Sequence, residues 1–157
     1  MEITENNKLE MYNVFSYRGT VTQQQLNNVS LEIEEILNSS GARKVGSPVS
    51  ATFSMSTNAG EQVMDVELLI PIDREIQVPY GYTFKPIFRL NNAVKIRHKG
   101  NPALMQQSMN ELLKYINEKK LSVATSAYVV TITDPKILGS MDEFISEIYV
   151  GVNDNIL

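Results

Sequence analysis

The chain has 157 residues, no cysteine, a hydrophobic content of 43% and a formal net charge of −4. This length and apolar content predict a single globular domain over residues 1–157 with a core of its own. The acidic balance argues against nucleic acid and anionic membranes as partners, and the lack of cysteine excludes disulfides and thiolate chemistry. No apolar run reaches the roughly 18 residues of a membrane span, and the polar start has no feature of a secretory signal. We therefore expect a cytoplasmic protein that makes no membrane contact.

The first predicted elements are a strand and a helix. Residues Met1 to Lys8 have little apolar surface to bury and are expected to fray. The segment Leu9–Val21 is rich in β-forming side chains and predicts the first strand. Thr20 or Thr22 can cap the helix that follows over Gln23–Ser39. The apolar residues of this helix recur at helical spacing and form one stripe: Leu26, Val29, Ile33, Ile36 and Leu37.

Two further strands complete the first half of the chain. Val49–Met55 alternates between apolar and polar residues, with Phe53 on the apolar side. A hairpin turn over residues 57–60 leads to a strand over Gln62–Ile72. The segment from Asp73 to Tyr82 contains proline and glycine and connects the two halves.

The second half repeats the order of the first. Phe84–His98 predicts a strand with a break at Asn91-Asn92, and a helix begins near Pro102 and runs to about Lys120. Two strands close this half: Thr125–Thr133 and Phe144–Val152.

The predicted fold class is α+β: a duplicated β-α-β-β unit that forms one antiparallel sheet, with two helices on one face and a groove between the pseudo-symmetric halves. The first repeat covers about residues 9–76 and the second about residues 84–154. The apolar faces of the two last strands are expected to pack under the helices. The opposite, helix-free faces carry Glu67 and Leu69 in one half and Glu147 and Tyr149 in the other, and we expect them to line an open concavity. The apolar sets are Leu68, Ile70 and Ile72 in the first repeat, and Ile148, Val150 and Val152 in the second.

Four stretches at the joints of this pattern carry a resemblance to a known family: Asp65–Ile72, Val94–Pro102, Ser126–Tyr128 and Glu147–Val152. In this order they resemble the GyrI-like superfamily, also called the AraC-type effector-binding domain. That family has a strand followed by His-x-Gly-Pro-like residues, a helix, a Glu-x-Tyr-like element and a closing Glu-Ile-Tyr-Ile-Pro-Val-like strand. The motifs are short, so the resemblance, which covers nearly the whole chain, depends on their order and spacing.

The resemblance implies a ligand and a set of ligand-binding residues. Family members bind small ligands, often cationic or aromatic, in the groove between the halves, using a carboxylate from the last strand and aromatic walls. Here Glu147 would supply the carboxylate, with Tyr149 and Tyr128 as walls. Two positions depart from the family pattern, because Ser126 replaces the glutamate of the Glu-x-Tyr-like element and Gly151 replaces the closing proline. Losing that second carboxylate argues against strong cation binding and against the hydrolytic activity of some relatives.

A second, narrower resemblance suggests a protein partner. The stretch Asn110–Asp134 looks like a bacterial branch of the superfamily, of undefined function, found in Gram-positive species and often beside genes for LXG-type secreted toxins. This resemblance implies an accessory protein that holds a partner from the toxin locus, for example by strand addition. Met105, Met109 and Met141 would then form a partner surface, although methionines at such spacing more often belong to the core.

Each ligand-binding candidate has a structural alternative. Glu147 would attract a cation, and a neighbouring tyrosine would add about 0.5–2 kcal/mol of cation–π attraction; otherwise it is a solvated glutamate on a sheet face. Glu67 is its counterpart in the first half. Phe53, Tyr128 and Tyr149 would form the walls of the groove, but aromatic residues at strand spacing are more often core.

The remaining polar candidates do not indicate catalysis. His98 is the only histidine, and no motif supplies a nucleophile or an orienting acid beside it, so we expect a structural role. One histidine and no cysteine make a metal site poorly supported, and no cofactor motif occurs. Lys95, Arg97 and Lys99 alternate on one strand face, as either an anion-binding patch or, more commonly, a solvated face.

The sequence therefore predicts a stand-alone, non-catalytic small-molecule (effector) binding protein in the cytoplasm. Its predicted ligand-binding residues are Glu147, Tyr149, Tyr128, Glu67 and Phe53, and it has no predicted catalytic residue, metal or cofactor. The alternative is an accessory or adaptor protein of a toxin-secretion locus that binds a partner protein.

Overall fold

A computed structural model of the protein describes residues 2–133 and 143–153. These residues form an α+β fold in which neighbouring strands within each unit pair antiparallel. The chain divides into two compact units. The N-terminal unit is Met11–Ile87, and the C-terminal unit combines residues 2–10 with the described residues from Phe88 onward. The elements are β1 Ile3–Val21, α1 Gln23–Ser40, β2 Val49–Asn58, β3 Glu61–Pro71, β4 Tyr82–Lys99, α2 Met105–Glu118, β5 Val123–Thr131 and β6 Ile145–Val152.

The N-terminal unit places β3 between β1 and β2. Its helix begins where Thr22 closes a capping box with Gln25, and it ends at Gly41, which has the left-handed φ of 71° that glycine tolerates best. The apolar stripe predicted for this helix is confirmed, because Ile33 and Leu37 are buried against the sheet. Their core cluster contains Phe15, Ala42, Ile70 and Ile72, with Val29, Ile36 and Leu68 packed against it.

The C-terminal unit has the same element order and places β6 between β4 and β5. A 3₁₀ turn over Pro102–Leu104 precedes α2, and Asn101 caps this turn by accepting a hydrogen bond from the backbone N–H of Ala103. The predicted packing of β6 under the helix is confirmed. The core cluster contains Val94, Ile96, Leu112, Ile116, Ile148, Val150 and Val152.

Two local predictions are wrong. The chain does not fray before Leu9, because β1 begins at Ile3. Both apolar and polar contacts are made there: Ile3 packs against the core of the C-terminal unit, the Asn7 amide donates to the carbonyl of Ala93 at 3.3 Å, and Glu10 forms an ion pair with Arg89 at 2.9 Å. The predicted break in the β4 region is also absent.

β4 runs without interruption through Asn91 and Asn92. The flanking residues Leu90 and Ala93 are fully buried, and the side chain of Asn92 donates to the Val152 carbonyl at 3.5 Å. The shared strand–helix–strand–strand order agrees with the predicted repeats. That the halves arose by duplication, that they form one domain and that a groove lies between them stay predictions.

Candidate functional site

Three of the predicted ligand-binding residues lie on the helix-free face of the C-terminal unit. Tyr149 on β6 stands opposite Tyr128 on β5 and opposite Lys95 on β4, while Glu147 stands opposite Arg97 on β4. Residues directly opposite each other in an antiparallel pair share a face of the sheet. Glu147, Tyr149 and Tyr128 therefore face the same way, away from the core beneath α2, together with two basic residues of β4.

The Glu147 carboxylate already has partners within the protein. Lys95 Nζ lies 3.2 Å from one carboxylate oxygen, and the Tyr149 hydroxyl donates to the other at 3.4 Å, a long hydrogen bond. Only 14% of the Glu147 side chain and 26% of the Lys95 side chain are exposed. The ammonium of Lys95 also lies 5.7 Å from the centre of the Tyr149 ring, within cation–π range. One lysine thus contacts both the acid and the aromatic ring predicted to recognise a ligand.

The environment of Tyr149 keeps its phenol protonated at neutral pH. Burial and, secondly, the negative charge of Glu147 raise the pKa of Tyr149 to about 12. Both causes act in the same direction, because each disfavours a phenolate. Tyr149 therefore serves as a hydrogen-bond donor in this site and not as an anionic base.

Tyr128 belongs to an aromatic pair. Its ring lies 5.2 Å from that of Phe88 with an angle of 54° between the planes, a tilted arrangement that aromatic pairs favour. Both residues are buried. The structure thus gives Tyr128 a packing role next to Phe88.

A small hollow adjoins this polar group within the C-terminal unit. It has a volume of about 120 Å³ and is lined by Glu2, Thr4, Lys95, Arg97 and Glu147. Pockets for drug-sized ligands have volumes of about 300–1,000 Å³. The hollow therefore admits a small polar group, and a larger ligand requires its lining side chains to move.

Glu67, the predicted counterpart of Glu147, lies in the N-terminal unit and is only 7% exposed. Its carboxylate accepts a hydrogen bond from Lys85 Nζ at 2.9 Å. The neighbouring Leu69 is fully buried and Tyr149 is 8% exposed. The helix-free faces were expected to be open, but at these positions they are closed to bulk solvent.

Phe53 belongs to the N-terminal unit. A register shift in the pairing of β2 with β3 falls between Thr52 and Ser54, so Phe53 occupies an irregularity of the strand and the predicted alternation ends there. The guanidinium of Arg18 stacks 3.8 Å from the centre of its ring, and Arg18 also pairs with Asp65 at 2.8 Å.

The expected structural role of His98 is confirmed. The ring is buried, with Nδ1 2.7 Å from the Ser108 hydroxyl and Nε2 3.1 Å from the Asn101 carbonyl oxygen. Because a carbonyl can only accept, Nε2 donates, and a neutral ring then accepts the Ser108 proton at Nδ1. The histidine thereby ties the end of β4 to the first turn of α2.

The methionines predicted to form a partner surface and the potential metal ligands can be located in part. Met105 and Met109 pack against the core of the C-terminal unit, and Met141 lies outside the described residues. Among residues 2–133 and 143–153, no group of three or more potential metal ligands occurs. No helix within that same part of the chain is both long and apolar enough to cross a bilayer.

The sequence did not predict that Lys85 and Lys95 pair with the glutamates, and it placed Lys95 only in an anion-binding patch or a solvated strand face. The spacing of the two lysines was informative in part. Both belong to β4, and an even separation of ten residues places them on one face of a regular strand. The contact of Lys95 with Glu147 could not be inferred, because it depends on how β4 pairs with β6.

No family model and no curated protein matches the chain. Solved structures show its fold. The C-terminal domain of EcmrR aligns with 98% of this chain and 96% of that domain at 16% identity and a TM-score of 0.77. This protein matches only 57% of the full EcmrR chain, as seen in the EcmrR–DNA complex. A Listeria innocua protein described as a hydrolase covers 97% of this chain and 91% of its own at 9% identity and a TM-score of 0.59. SAV2435 bound to tetraphenylphosphonium covers 97% and 93% at 12% identity and a TM-score of 0.54.

Proposed function

We propose that the protein is a non-catalytic, small-molecule (effector) binding protein of the GyrI-like superfamily. Its ligand would contact Glu147, Tyr149 and Lys95 on the helix-free face of the C-terminal unit. The observation that supports this proposal most is the closely spaced, half-buried group of a carboxylate, a neutral phenol and an ammonium beside a hollow. Polar groups that converge in a largely buried place are typical of ligand sites.

The comparisons agree with this proposal at the level of the fold. EcmrR, whose C-terminal domain has the same fold, is a protein found on DNA with a transcription complex. SAV2435 binds tetraphenylphosphonium, a bulky aromatic cation. A shared fold permits many functions, so the site residues must support the proposal by themselves.

The site chemistry supports binding over catalysis. A general base must lie within hydrogen-bond reach of the proton that it abstracts, and existing partners of the base compete for that contact. Here Lys95 and Tyr149 engage the oxygens of Glu147, and the lone histidine uses both ring nitrogens in structural bonds. We propose that the protein is not a hydrolase, although a fold relative is described as one.

A thermal-shift screen tests the proposed function. The probes are tetraphenylphosphonium, the neutral aromatic triphenylphosphine oxide and a set of small aromatic compounds. A ligand at 100 times its dissociation constant stabilises the folded protein by about 2.7 kcal/mol, which raises the midpoint of unfolding visibly. We expect at least one probe to produce such a shift in the unmodified protein.

Two variants locate the bound probe. Glu147→Gln keeps the shape of the side chain but removes its charge, so it should change the dissociation constant of a ligand at this site. Glu111→Gln makes the same chemical change on the exposed surface of α2 and should not. If no probe binds, the proposed binding function is wrong. If Glu147→Gln and Glu111→Gln change the dissociation constant equally, the ligand does not bind at Glu147.

A further inference from the structure

The Lys95 ammonium occupies the position in which a cationic ligand would be recognised. Recognition of an organic cation uses a carboxylate for charge and an aromatic ring for cation–π attraction. In the C-terminal unit these groups are Glu147 and Tyr149, and Lys95 Nζ reaches both, at 3.2 Å from the carboxylate and 5.7 Å from the ring centre. An external cation must therefore displace an internal one.

The N-terminal unit repeats this compensation. The buried carboxylate of Glu67 is paired with Lys85 at 2.9 Å, and the face of the Phe53 ring is covered by the Arg18 guanidinium at 3.8 Å. Each negative or aromatic group predicted for cation binding in that unit thus has an internal cation as its partner.

The charges of the side chains that line the hollow also cancel. Glu2 and Glu147 contribute two negative charges, and Lys95 and Arg97 contribute two positive charges. The formal charge of the lining is therefore zero. Because the carboxylate is largely buried and already paired, an incoming cation would lose hydration without gaining an uncompensated negative charge.

We propose that Lys95 is a specificity-determining residue that makes this site discriminate against organic cations. The favoured ligand is a neutral molecule with an acceptor oxygen, because this small polar group can enter the hollow and accept from the Lys95 ammonium or the Arg97 guanidinium while Glu147 stays neutralised. This inference rests on the proposed function, because it specifies the ligand class of the same site. Removing the lysine charge should convert the site into a cation site.

The experiment compares two probes of similar shape and different charge. Dissociation constants of tetraphenylphosphonium and triphenylphosphine oxide are measured by calorimetry for the unmodified protein and for Lys95→Met. The variant keeps the apolar stem of the side chain and removes the ammonium. We expect the cation to bind Lys95→Met at least about tenfold more tightly than it binds the unmodified protein, which corresponds to about 1.4 kcal/mol.

Two controls separate a local effect from a change in total charge. Lys99→Met removes a lysine charge from the same strand, at an exposed position outside the lining of the hollow, and should leave the affinity for the cation unchanged. Lys95→Met combined with Glu147→Gln should lose the gained affinity, because the unmasked carboxylate is then absent.

Lys95→Gln serves as a second variant, since a glutamine can still donate to Glu147 while carrying no charge. Circular dichroism and the unfolding midpoint establish that each variant is folded. If Lys95→Met does not fold, the same tenfold gain is required of Lys95→Gln.

The possible outcomes distinguish this inference from the proposed function. If the unmodified protein binds the neutral probe and neither lysine variant gains cation affinity, the inference is wrong and the binding function remains. If the unmodified protein binds neither probe but Lys95→Met binds the cation, the role of Lys95 stands and the function fails. Equal binding of both probes by the unmodified protein, or a gain with Lys99→Met as large as with Lys95→Met, overturns the inference.

Discussion

Stability at alkaline pH should depend on Tyr149. Burial and the charge of Glu147 raise its pKa from 10.0 to about 12 in the folded protein, whereas the unfolded chain keeps an ordinary pKa of about 10. Below pH 10 the phenol is protonated in both states, and its contribution to stability is fully present. Between about pH 10 and about pH 12 the unfolded chain loses the proton first, so the free energy of unfolding falls as the pH rises. Two pKa units correspond to roughly 2.7 kcal/mol, at about 1.36 kcal/mol each.

The assay is urea unfolding of the unmodified protein and of Tyr149→Phe at about pH 9 and about pH 11.5. Other groups also titrate in this range, but they do so in both proteins, so the difference between the two proteins isolates Tyr149. We expect the unmodified protein to lose about 2 kcal/mol more than the variant between the two pH values. Equal losses, or the appearance of its phenolate at an ordinary pKa in an ultraviolet titration, would refute the assigned environment of Tyr149.

Three further predictions concern stability. Ser108→Ala removes the hydroxyl that contacts the buried His98 ring and should cost about 1–3 kcal/mol of unfolding free energy in urea titrations; an unchanged midpoint would mean that water replaces the hydroxyl without loss. Gly41→Ala places a side chain at a φ of 71° and should cost roughly 1 kcal/mol, and a neutral result would show that the helix can end otherwise. Lys95→Met alone should destabilise by about 1–3 kcal/mol, whereas Lys95→Met with Glu147→Gln should lie within about 1 kcal/mol of the unmodified protein; a double variant as unstable as the single one contradicts this coupling.

Hydrophobic spacing predicted the elements that are amphipathic. The stripe of α1 placed Ile33 and Leu37 in the core, and the alternation of β6 placed Ile148 and Val150 beneath α2. In both cases one face of the element is mostly apolar, so burial of that face fixes which side of the element points to the core. The prediction failed at the start of β1, where Asn7 donates a side-chain hydrogen bond to the carbonyl of Ala93, a contact that an apolar pattern cannot reveal.

The candidate site was predictable only in its parts. Glu147 and Tyr149 are two residues apart on one strand, so their shared face followed from the period of a strand. The lysine that contacts both is about fifty residues away in the sequence, on a strand whose pairing is a tertiary property. Phe53 was placed on the apolar face, but the register shift beside it removes the regular alternation from which that placement followed.

The two units differ beside their paired glutamates, and this difference supports the proposal that the polar group around Glu147 serves recognition. Glu67 lies on β3 and Glu147 on β6, the last strand of each predicted repeat, and two residues later β3 has the fully buried Leu69 whereas β6 has Tyr149. An apolar side chain thus suffices at that position of a folded unit. A largely buried ion pair adds little net stability, because desolvation offsets its Coulombic attraction, and the core of the C-terminal unit lies on the other face of the sheet. Because the N-terminal unit also pairs its glutamate with a lysine, the phenol of Tyr149 is the feature that differs between the units, and we propose that this phenol contacts a ligand in the C-terminal unit.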